Sequence, residues 1–481
     1  MMWKRRLKDT PCLRPCSPQR PNEGNFLHSW ASGYNPGLSV YLLENGNLLR
    51  TASVRSTVFD AGGSGGKVQE IDPDGNVIWD FEHSGDEYLL HHDIELLPSG
   101  NVLMIAWEYK SEADAIAAGR NPSLLTDGEL WPDKIIEVDP TKTDEDAIVW
   151  EWHVWDHLIQ DYDDTKPDYG TVASHPELVD LNYSPSGPGS GGADWTHFNS
   201  VDYHEEFDQI VVSVHSFSEI WIIDHSTTTE QAAGHTGGNY GKGGDLLYRW
   251  GNPQTYSAGT SDDRKLFSQH DASWIESGSP GEGNILIFNN GQKRSDGDYS
   301  SVDEIILPVD AQGNYSLSTG AAYGPTDITW TYSDPSDFYS QNISGAQRLS
   351  NGNTLICNGA NGIFFEVTAD KEIVWKYVNP VAGDGILEQG EPIPELNGNK
   401  TNQVFRVYRY APDYAGLPDD IAVSVKADMN GDGSLNLPDA IMTLQICVDR
   451  VCQFPCQKLM SMATSKSDWR RQSIFFQKFP R

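Results

Sequence analysis

Histidines recur at matched positions along this sequence, and histidine offers a wide range of chemistry near neutral pH. An imidazole can act as a nucleophile, as a general acid or base, or as a metal ligand. Three short segments carry the pattern: HHD at 91–93, THFN at 196–199 and QHD at 269–271. Their shared form predicts that one site contains His91, His92, His197, Asn199 and His270.

Further polar residues follow at the ends of later apolar runs. They are Glu108, His215, Asn289, Asn290 and Asn358, with Arg294 a few residues downstream. Two chemistries stay open on the residue types alone. Either three histidines (His92, His197 and His270) bind a catalytic metal, or one imidazole attacks a substrate while its neighbours and the amides bind an anionic oxygen. The histidines that lack this register are interpreted as structural or surface residues: His83, His153, His157, His175, His204, His225 and His235.

A repeated pair of hairpins must position these side chains. An apolar strand, a Gly/Asn turn and a second apolar strand recur, and Asn-Gly between alternating runs is a strong hairpin signal. The examples are residues 41–52, 92–106, 199–214, 270–288 and 346–357. A second hairpin follows at 67–81, 134–152 and 363–377, with weaker versions at 245–250 and 303–332. Two hairpins supply the four strands of one propeller blade.

Five such units can be counted, at spacings of roughly 50 to 75 residues, which are too long and irregular for an open solenoid. The chain ends, near 25–30 and 404–410, are expected to build a sixth blade and to close the ring without exposed edges. We therefore predict an all-β, six-bladed β-propeller over residues 25–415. The inner strands of a propeller run the same way, so the histidines converge on one mouth of the channel.

The segments outside the hairpins have their own expected forms. Residues 111–125 are predicted to hold a short helix, and residues 155–196 and 226–245 are predicted to be long loops that shape a binding face. Residues 1–24 form an N-terminal extension that we expect to be disordered. Six cysteines, five of them in the termini, lack zinc-finger spacing and are expected to be free or disulfide-paired thiols.

Residues 424–447 match a calcium loop followed by a helix. The oxygen ligands fall at the expected spacing, and Gly433 occupies the turn position. The predicted Ca²⁺ ligands are Asp428, Asn430, Asp432, Ser434, Asn436 and Asp439. The segment resembles one repeat of a dockerin-type module, which normally has two. No second loop follows, and 448–481 is an irregular basic tail, which argues against binding of a cohesin-type partner.

The formal net charge of −35 excludes a role in binding nucleic acid or anionic membranes. The sequence contains no stretch of 18 or more apolar residues, so we expect no membrane-spanning helix. The first residues lack the apolar core of a signal peptide. Because calcium loops of this type point outside the cytosol, we nevertheless expect a periplasmic or extracellular protein whose start is incomplete in this sequence.

Five segments together resemble the bacterial arylsulfate sulfotransferase family. They are HHDIELLPSGNVLMI, DWTHFNSVDY, FSQHDASW, NILIFNNGQKR and AQRLSNGNTLI, within about residues 25–412. The resemblance implies a six-bladed propeller that transfers a sulfuryl group from a phenolic sulfate ester to a phenolic acceptor. It further implies ping-pong transfer through a sulfohistidine, with no nucleotide sulfate donor and no organic cofactor.

The resemblance also implies roles for individual residues. His270 matches the nucleophile, His197 and Asn199 match a pair that binds and polarises the sulfate, and either His91 or His92 matches an upstream channel histidine. His215, Asn290 and Arg294 are expected to bind substrate.

One departure from the family pattern concerns charge. His215 stands where the family usually has Arg, and one imidazole binds sulfate less well than a bidentate guanidinium. The cations expected to compensate are Lys293, Arg294 and Arg348.

Two alternative functions stay open. One is a non-enzymatic propeller that binds a ligand or partner through the same mouth, and the other is a metal-dependent lyase or hydrolase that uses the channel histidines.

Overall fold

Short strands joined by tight turns make up most of the regular structure of this chain. The computed structural model describes residues 28–183, 192–383, 385–388, 390–411 and 414–417, and the strands Met442–Ile446, Arg470–Arg471 and Ile474–Phe475. Within them, two consecutive hairpins combine five times into a four-stranded antiparallel sheet. The prediction of an all-β propeller is therefore confirmed.

The strands of each blade follow one another from the channel outward. Blade one contains Asn35–Leu42, Leu48–Ser53, Gly66–Ile71 and Val77–Glu82. Blade two contains Tyr88–Leu96, Val102–Glu108, Asp133–Val138 and Ile148–His153. Blade three contains Phe198–His204, Gln209–Val214, Glu219–Asp224 and Tyr248–Trp250. Blade four contains His270–Trp274, Ile285–Asn289, Ser301–Ile305 and Trp330–Ser333, and blade five contains Gly345–Arg348, Thr354–Asn358, Ile363–Val367 and Ile373–Val378.

Apolar side chains between neighbouring blades form the core. Trp152 of blade two packs with Val212 and Trp221 of blade three, and Ile220 of blade three packs with Ile287 of blade four. Each fully buried aliphatic or aromatic side chain contributes about 1.5–3 kcal/mol relative to an exposed one. The blades are therefore held face to face, and the inner strands are fixed around the channel.

The number of complete blades differs from the prediction. The described residues contain five four-stranded sheets, not six. After blade five the chain has only two-residue strands until Val407–Tyr410, which pairs with Met442–Ile446. Val407 packs into the core of blade five, while the Tyr410 hydroxyl binds Leu42 N of blade one at 3.1 Å. This segment thus bridges blades five and one, and with Met442–Ile446 and Ile474–Phe475 it forms a three-stranded sheet in place of a complete four-stranded blade.

The insertions contain little regular structure, as predicted. The helix Glu112–Ala117 begins at Ser111, whose side chain forms a capping box with Asp114. A second, one-turn helix spans Thr229–Ala232. The 3₁₀ turns are Pro122–Leu124, Asp144–Ala147, Val154–Asp156, Val172–Ser174, Pro253–Tyr256, Ser261–Asp263 and Gly359–Asn361. The remaining two-residue strands are Ala31–Ser32, Lys110–Ser111, Glu129–Leu130, Leu158–Ile159, Val179–Asp180, Val381–Ala382, Gly385–Ile386, Glu395–Leu396 and Asn399–Lys400.

The predicted calcium loop, 428–439, and the N-terminal extension lie outside the described residues. Of the segment expected to form a helix after the loop, the structure describes Met442–Ile446, which is a strand. Its alternation of Met, Thr, Leu, Gln and Ile suits a strand, and Val407–Tyr410 offers an edge to pair with. In the described part of the chain, no helix combines the length and the apolar character needed to cross a membrane.

A buried ion pair in blade three generates a stability prediction. Arg249 Nη2 lies 2.5 Å from Glu219 Oε2, and neither side chain is exposed. Arg249→Met leaves the Glu219 carboxylate buried without its partner, so the free energy of unfolding should fall by ~3–5 kcal/mol. Lys400→Met, which removes an exposed pair with Glu395, should cost less than ~1 kcal/mol. Urea unfolding followed by tryptophan fluorescence measures both, and similar losses in the two variants would contradict the prediction.

Candidate active site

The inner strands of three blades are irregular where the histidines lie. Pairing with the second strand shifts register at residues 91–93 in blade two, at Asn199 in blade three and at Asp271 in blade four. His92, His197 and Asp271 have positive φ angles of 51°, 55° and 51°. Bulges of this kind re-aim side chains, and left-handed φ angles at non-glycine residues cost of the order of 1–3 kcal/mol each. The backbone that carries the site is therefore locally strained.

Four imidazole rings form a continuous row at the channel mouth. Ring centroids are 4.6 Å apart for His92 and His197, 4.9 Å for His197 and His215, and 5.3 Å for His215 and His270. The structure thus brings together four histidines from three blades. The repeat pattern predicts His92 at the start of its strand, but it lies in the middle of Tyr88–Leu96. It reaches the row because the bulge turns its side chain toward the channel.

His92, and not His91, faces the channel. His91 stacks on Trp107 with a centroid distance of 4.0 Å. Its Nε2 lies 2.6 Å from the buried Asp133 Oδ1, but the contact does not have hydrogen-bond geometry. The Nδ1 atoms of His91 and His92 are 2.8 Å apart. One of these two nitrogens therefore carries a proton that it donates to the other. Gly63 covers this ring so closely that a Cβ there would lie 2.0 Å from His92 Cε1.

His197 is the histidine of the row with a carboxylate partner. Its Nδ1 binds Asp194 Oδ2, while Asp194 Oδ1 accepts a hydrogen bond from Trp107 Nε1 at 2.9 Å. Burial lowers the pKa of His197, but the negative charges of Asp194 and Asp133 outweigh burial and raise it above its ordinary value. Sequence reasoning missed this aspartate, although it stands three residues before His197 in DWTHFN.

His270 is held as a neutral ring. Asn290 donates its Nδ2 protons to the backbone oxygens of Ser340 and Ile343, so its Oδ1 accepts from His270 Nδ1–H at 2.8 Å. Burial is the main cause that lowers the pKa of His270 to about 3. The Nε2 lone pair accepts a hydrogen bond from Ile343 N at 3.2 Å. Asn290, predicted to bind substrate, therefore positions the His270 ring instead.

Two other polar groups of the site have atoms without protein partners. Asn199 donates Nδ2 to Gln269 O at 2.8 Å, and its buried Oδ1 has no hydrogen-bond partner among the described residues. The same holds for His215 Nδ1. Burial, followed by the neighbouring His197, His270 and Arg264, lowers the pKa of His215 well below its ordinary value. Since buried polar atoms normally have partners, these atoms indicate where a polar ligand would bind.

Comparisons with known proteins bear on what this site does. The sequence model of the arylsulfotransferase (ASST) family matches residues 42–384, more than half of the chain. The chain belongs to the arylsulfotransferase family. A search of curated proteins returns no match.

Solved structures resemble the chain only distantly. A protein of unknown function from Bacteroides caccae is 12% identical, with a TM-score of 0.34 and coverage of 72% of this chain and 82% of that one. Virginiamycin B lyase from Staphylococcus aureus is 9% identical, with a TM-score of 0.33 and coverage of 74% and 87%.

The three cations expected to compensate for His215 are bound to other groups of the protein or exposed. Arg348, on the inner strand of blade five, binds Glu304 at 2.7 Å and lies over the Trp330 ring. Arg294 is held by Tyr299 O and Ser301 Oγ and lies over the Phe267 ring, and Lys293 is exposed. Sequence reasoning overlooked a different cation, Arg264, in the segment between blades three and four.

Arg264 is the cation whose charge reaches His215. Its positive charge contributes to lowering the pKa of His215. Its guanidinium donates to Ser218 Oγ at 2.6 Å and to Leu266 O at 2.7 Å, and it lies over the Phe267 ring. No repeat pattern marks this loop, so the contact follows from the fold alone.

A charged layer lies directly beneath the histidines of this arylsulfotransferase. Arg406 Nη1 is 2.9 Å from Asp93 Oδ2, and its Nε is 2.8 Å from Asp271 Oδ1. Burial raises the pKa of Asp271 to about 6, although the Arg406 charge acts in the opposite direction. Asp93 and Asp271 each follow a histidine of the site directly. Arg406 thus joins the bulges of blades two and four, and its positive charge adds to the effect of burial in lowering the pKa of His270.

Other predicted members of the constellation have separate roles. Glu108 binds His153 at 2.8 Å and Lys110 at 3.0 Å. Asn289 binds Phe267 N and Asp303, and Asn358 accepts from Asn361. The ring nitrogens of the channel histidines do not form a three-ligand cluster within 4.8 Å. Within the described residues, the cluster that meets this distance is formed by His157, His235 and Asp245, away from the channel. The spacing of the channel histidines therefore argues against the metal-dependent alternative.

The Asp194–His197 pair generates a prediction about titration. Asp194→Asn removes the negative charge but keeps an oxygen for Trp107, so the pKa of His197 should fall and the ring should lose its proton at lower pH. Two-dimensional NMR of ¹⁵N-histidine-labelled protein measures this. His225, whose pKa of about 9 depends on hydrogen bonds to Asp208 and Glu137 after the opposing effect of burial, serves as the control. An unchanged His197 titration would contradict the assignment.

Proposed function

We propose that this protein is an arylsulfate sulfotransferase that moves a sulfuryl group from a phenolic sulfate ester to a phenol. One observation carries the proposal: His270 directs Nδ1–H to Asn290 and keeps its Nε2 lone pair, and the same row contains His197 paired with Asp194. A neutral imidazole is a nucleophile, and an imidazole held beside a carboxylate is suited to acid–base transfer. Family membership supports the same reaction.

The first half-reaction forms the covalent intermediate. His270 Nε2 attacks sulfur, and the bond from sulfur to the phenolic oxygen breaks with its electron pair going to that oxygen. The protonated His197 ring donates its Nε2 proton to the leaving phenolate. Ile343 N–H, which binds His270 Nε2 at 3.2 Å, must release the lone pair and is then free to donate to a sulfuryl oxygen.

The second half-reaction returns the enzyme to its starting state. The now neutral His197 accepts the proton of the acceptor phenol, and the phenolate oxygen attacks the sulfur of sulfo-His270. The N–S bond breaks, and its electron pair returns to Nε2. Positioning and charge stabilisation dominate such transfers, and this requirement accounts for Asp194 holding the His197 ring and Asn290 holding the His270 ring.

The residues proposed to stabilise negative charge on the sulfuryl group differ from those that the family resemblance implies. Three groups are proposed to donate to the sulfuryl oxygens: the second Nδ2 proton of Asn199, a neutral His215 ring that carries its proton on Nδ1, and the guanidinium of Arg264. Arg264 supplies the positive charge that the family arginine would provide at position 215. We retain two further proposals from the sequence: Ca²⁺ binding by residues 428–439, and function in the periplasm or outside the cell.

The nucleophile is tested by His270→Asn. Removal of the attacking nitrogen should lower kcat for phenol-dependent release of 4-nitrophenol from 4-nitrophenyl sulfate by ~10³-fold or more. The wild type, given donor without acceptor, should gain the mass of one SO₃ group on the peptide that contains His270. His175→Asn, at an exposed position, is the control and should keep full activity. A folded wild type without turnover would instead support a ligand-binding propeller.

The role of Arg264 is tested by its replacement. Arg264→Gln should raise KM for 4-nitrophenyl sulfate about tenfold or more, because a charge-assisted hydrogen bond contributes ~1.5–3 kcal/mol. The effect on kcat should be smaller, since the sulfate is charged in both ground and transition states. Arg264→Lys should recover part of the loss. Arg348→Gln, at a guanidinium that binds Glu304 of blade four, is the comparison, and an equal KM effect there would contradict the assignment.

A further inference from the structure

A second cluster of histidines lies away from the channel, between the outer parts of blades two and three. His157 and His235 each direct Nδ1 at the same oxygen, Asp245 Oδ1, at 2.9 Å and 2.7 Å. The three ligand atoms lie within 4.8 Å of one another. His157 belongs to the segment after blade two, and the other two belong to the loop 226–245 inside blade three. The proposed sulfuryl transfer uses none of them.

The hydrogen-bond pattern of His157 points to a cation at this place. Its Nε2 lies 2.8 Å from Ala232 O, and a carbonyl oxygen only accepts, so Nε2 carries the proton. In the neutral ring, Nδ1 is then a lone pair directed at a carboxylate oxygen. Either an additional proton or a metal ion must separate the two. A histidine that donates one N–H to a backbone carbonyl while the other nitrogen faces a ligand is the usual arrangement in metal sites.

The surrounding structure holds this ring in place. His157 is fully buried and stacks on Trp152 at a centroid distance of 5.4 Å and an interplanar angle of 6°. Trp152 Nε1 donates to Gly244 O at 2.7 Å. Gly244 admits the ring, since a Cβ there would lie 2.6 Å from His157 Nε2. His235, by contrast, has a side chain that is 58% exposed, which leaves a path for an ion to enter.

We propose that His157, His235 and Asp245 bind one divalent transition-metal ion of the zinc class, which fastens the loop 226–245 to the segment after blade two. Two imidazole nitrogens and one carboxylate oxygen are ligands that zinc accepts, with a fourth position for water. Tetrahedral zinc with bonds of ~2.0–2.1 Å places its ligand atoms about 3.3 Å apart. The His235–Asp245 separation of 2.7 Å reaches that value by a small rotation of the exposed His235. The His157–Asp245 separation of 2.9 Å reaches it by a shift of about 0.4 Å of the Asp245 carboxylate.

Zinc titration of the full chain tests the proposal. Isothermal calorimetry with ZnCl₂ is performed in calcium-saturated buffer after the thiols are blocked with N-ethylmaleimide, so that the calcium loop and the cysteines do not contribute. The wild type should bind one ion that His235→Ala binds ~10²-fold more weakly or not at all, because loss of even an outer-shell partner costs 10–100-fold. His175→Ala, another exposed histidine, should bind like the wild type, and so should His270→Asn, which leaves this cluster intact.

Hydrogen exchange provides a readout that is independent of the number of sites. Zinc should slow backbone amide exchange in 226–245 in the wild type and in His175→Ala, but not in His235→Ala or Asp245→Asn. His235 is exposed, so its replacement is not expected to unfold the protein. Equal zinc affinity in His235→Ala and the wild type would overturn the proposal. Absence of a zinc-dependent change in this loop would do the same and would show three side chains joined by protons alone.

Discussion

Four largely buried imidazole rings share one channel mouth, and mutual repulsion limits how many of them can carry a proton. Burial and the neighbouring positive charges lower the pKa of His92, His215 and His270. Asp194, with a smaller contribution from Asp133, reverses this effect and raises the pKa of His197 alone among the four rings. One carboxylate therefore divides a row of similar rings into a candidate acid and a candidate nucleophile, and the proposed reaction depends on that division.

The same row explains why the inner strands are irregular. A regular strand would alternate its side chains between the two faces of a blade, and would not direct His92, His197 and His270 at a common point. The bulges and the positive φ angles at His92, His197 and Asp271 re-aim them. This local cost is offset by the apolar cores between blades and by Arg406, which bridges Asp93 and Asp271 beneath the rings.

The positive charge proposed for the mouth comes from a segment outside the repeats. His215, at the position where the family resemblance predicts an arginine, lies between His197 and His270. Arg264 reaches the same region from the segment between two blades, anchored on Ser218 and Leu266. Long loops also gather chemistry at the periphery, where His157, His235 and Asp245 meet. In both cases residues distant in sequence become neighbours because loops from adjacent blades touch.

The hairpins were predictable from the sequence, because period-two alternation and Asn-Gly turns are local signals, and the repeat pattern predicted that His92, His197, His215 and His270 meet at one mouth. It could not decide the number of complete blades, since pairing of the last strand depends on which distant edge is available. Nor could it choose between His91 and His92, or find Asp133, Asp194, Arg264 and Arg406 as partners. Those assignments depend on bulges and on contacts across blades, and hydrogen bonds and pKa values are set by neighbours in space, which only the tertiary structure defines.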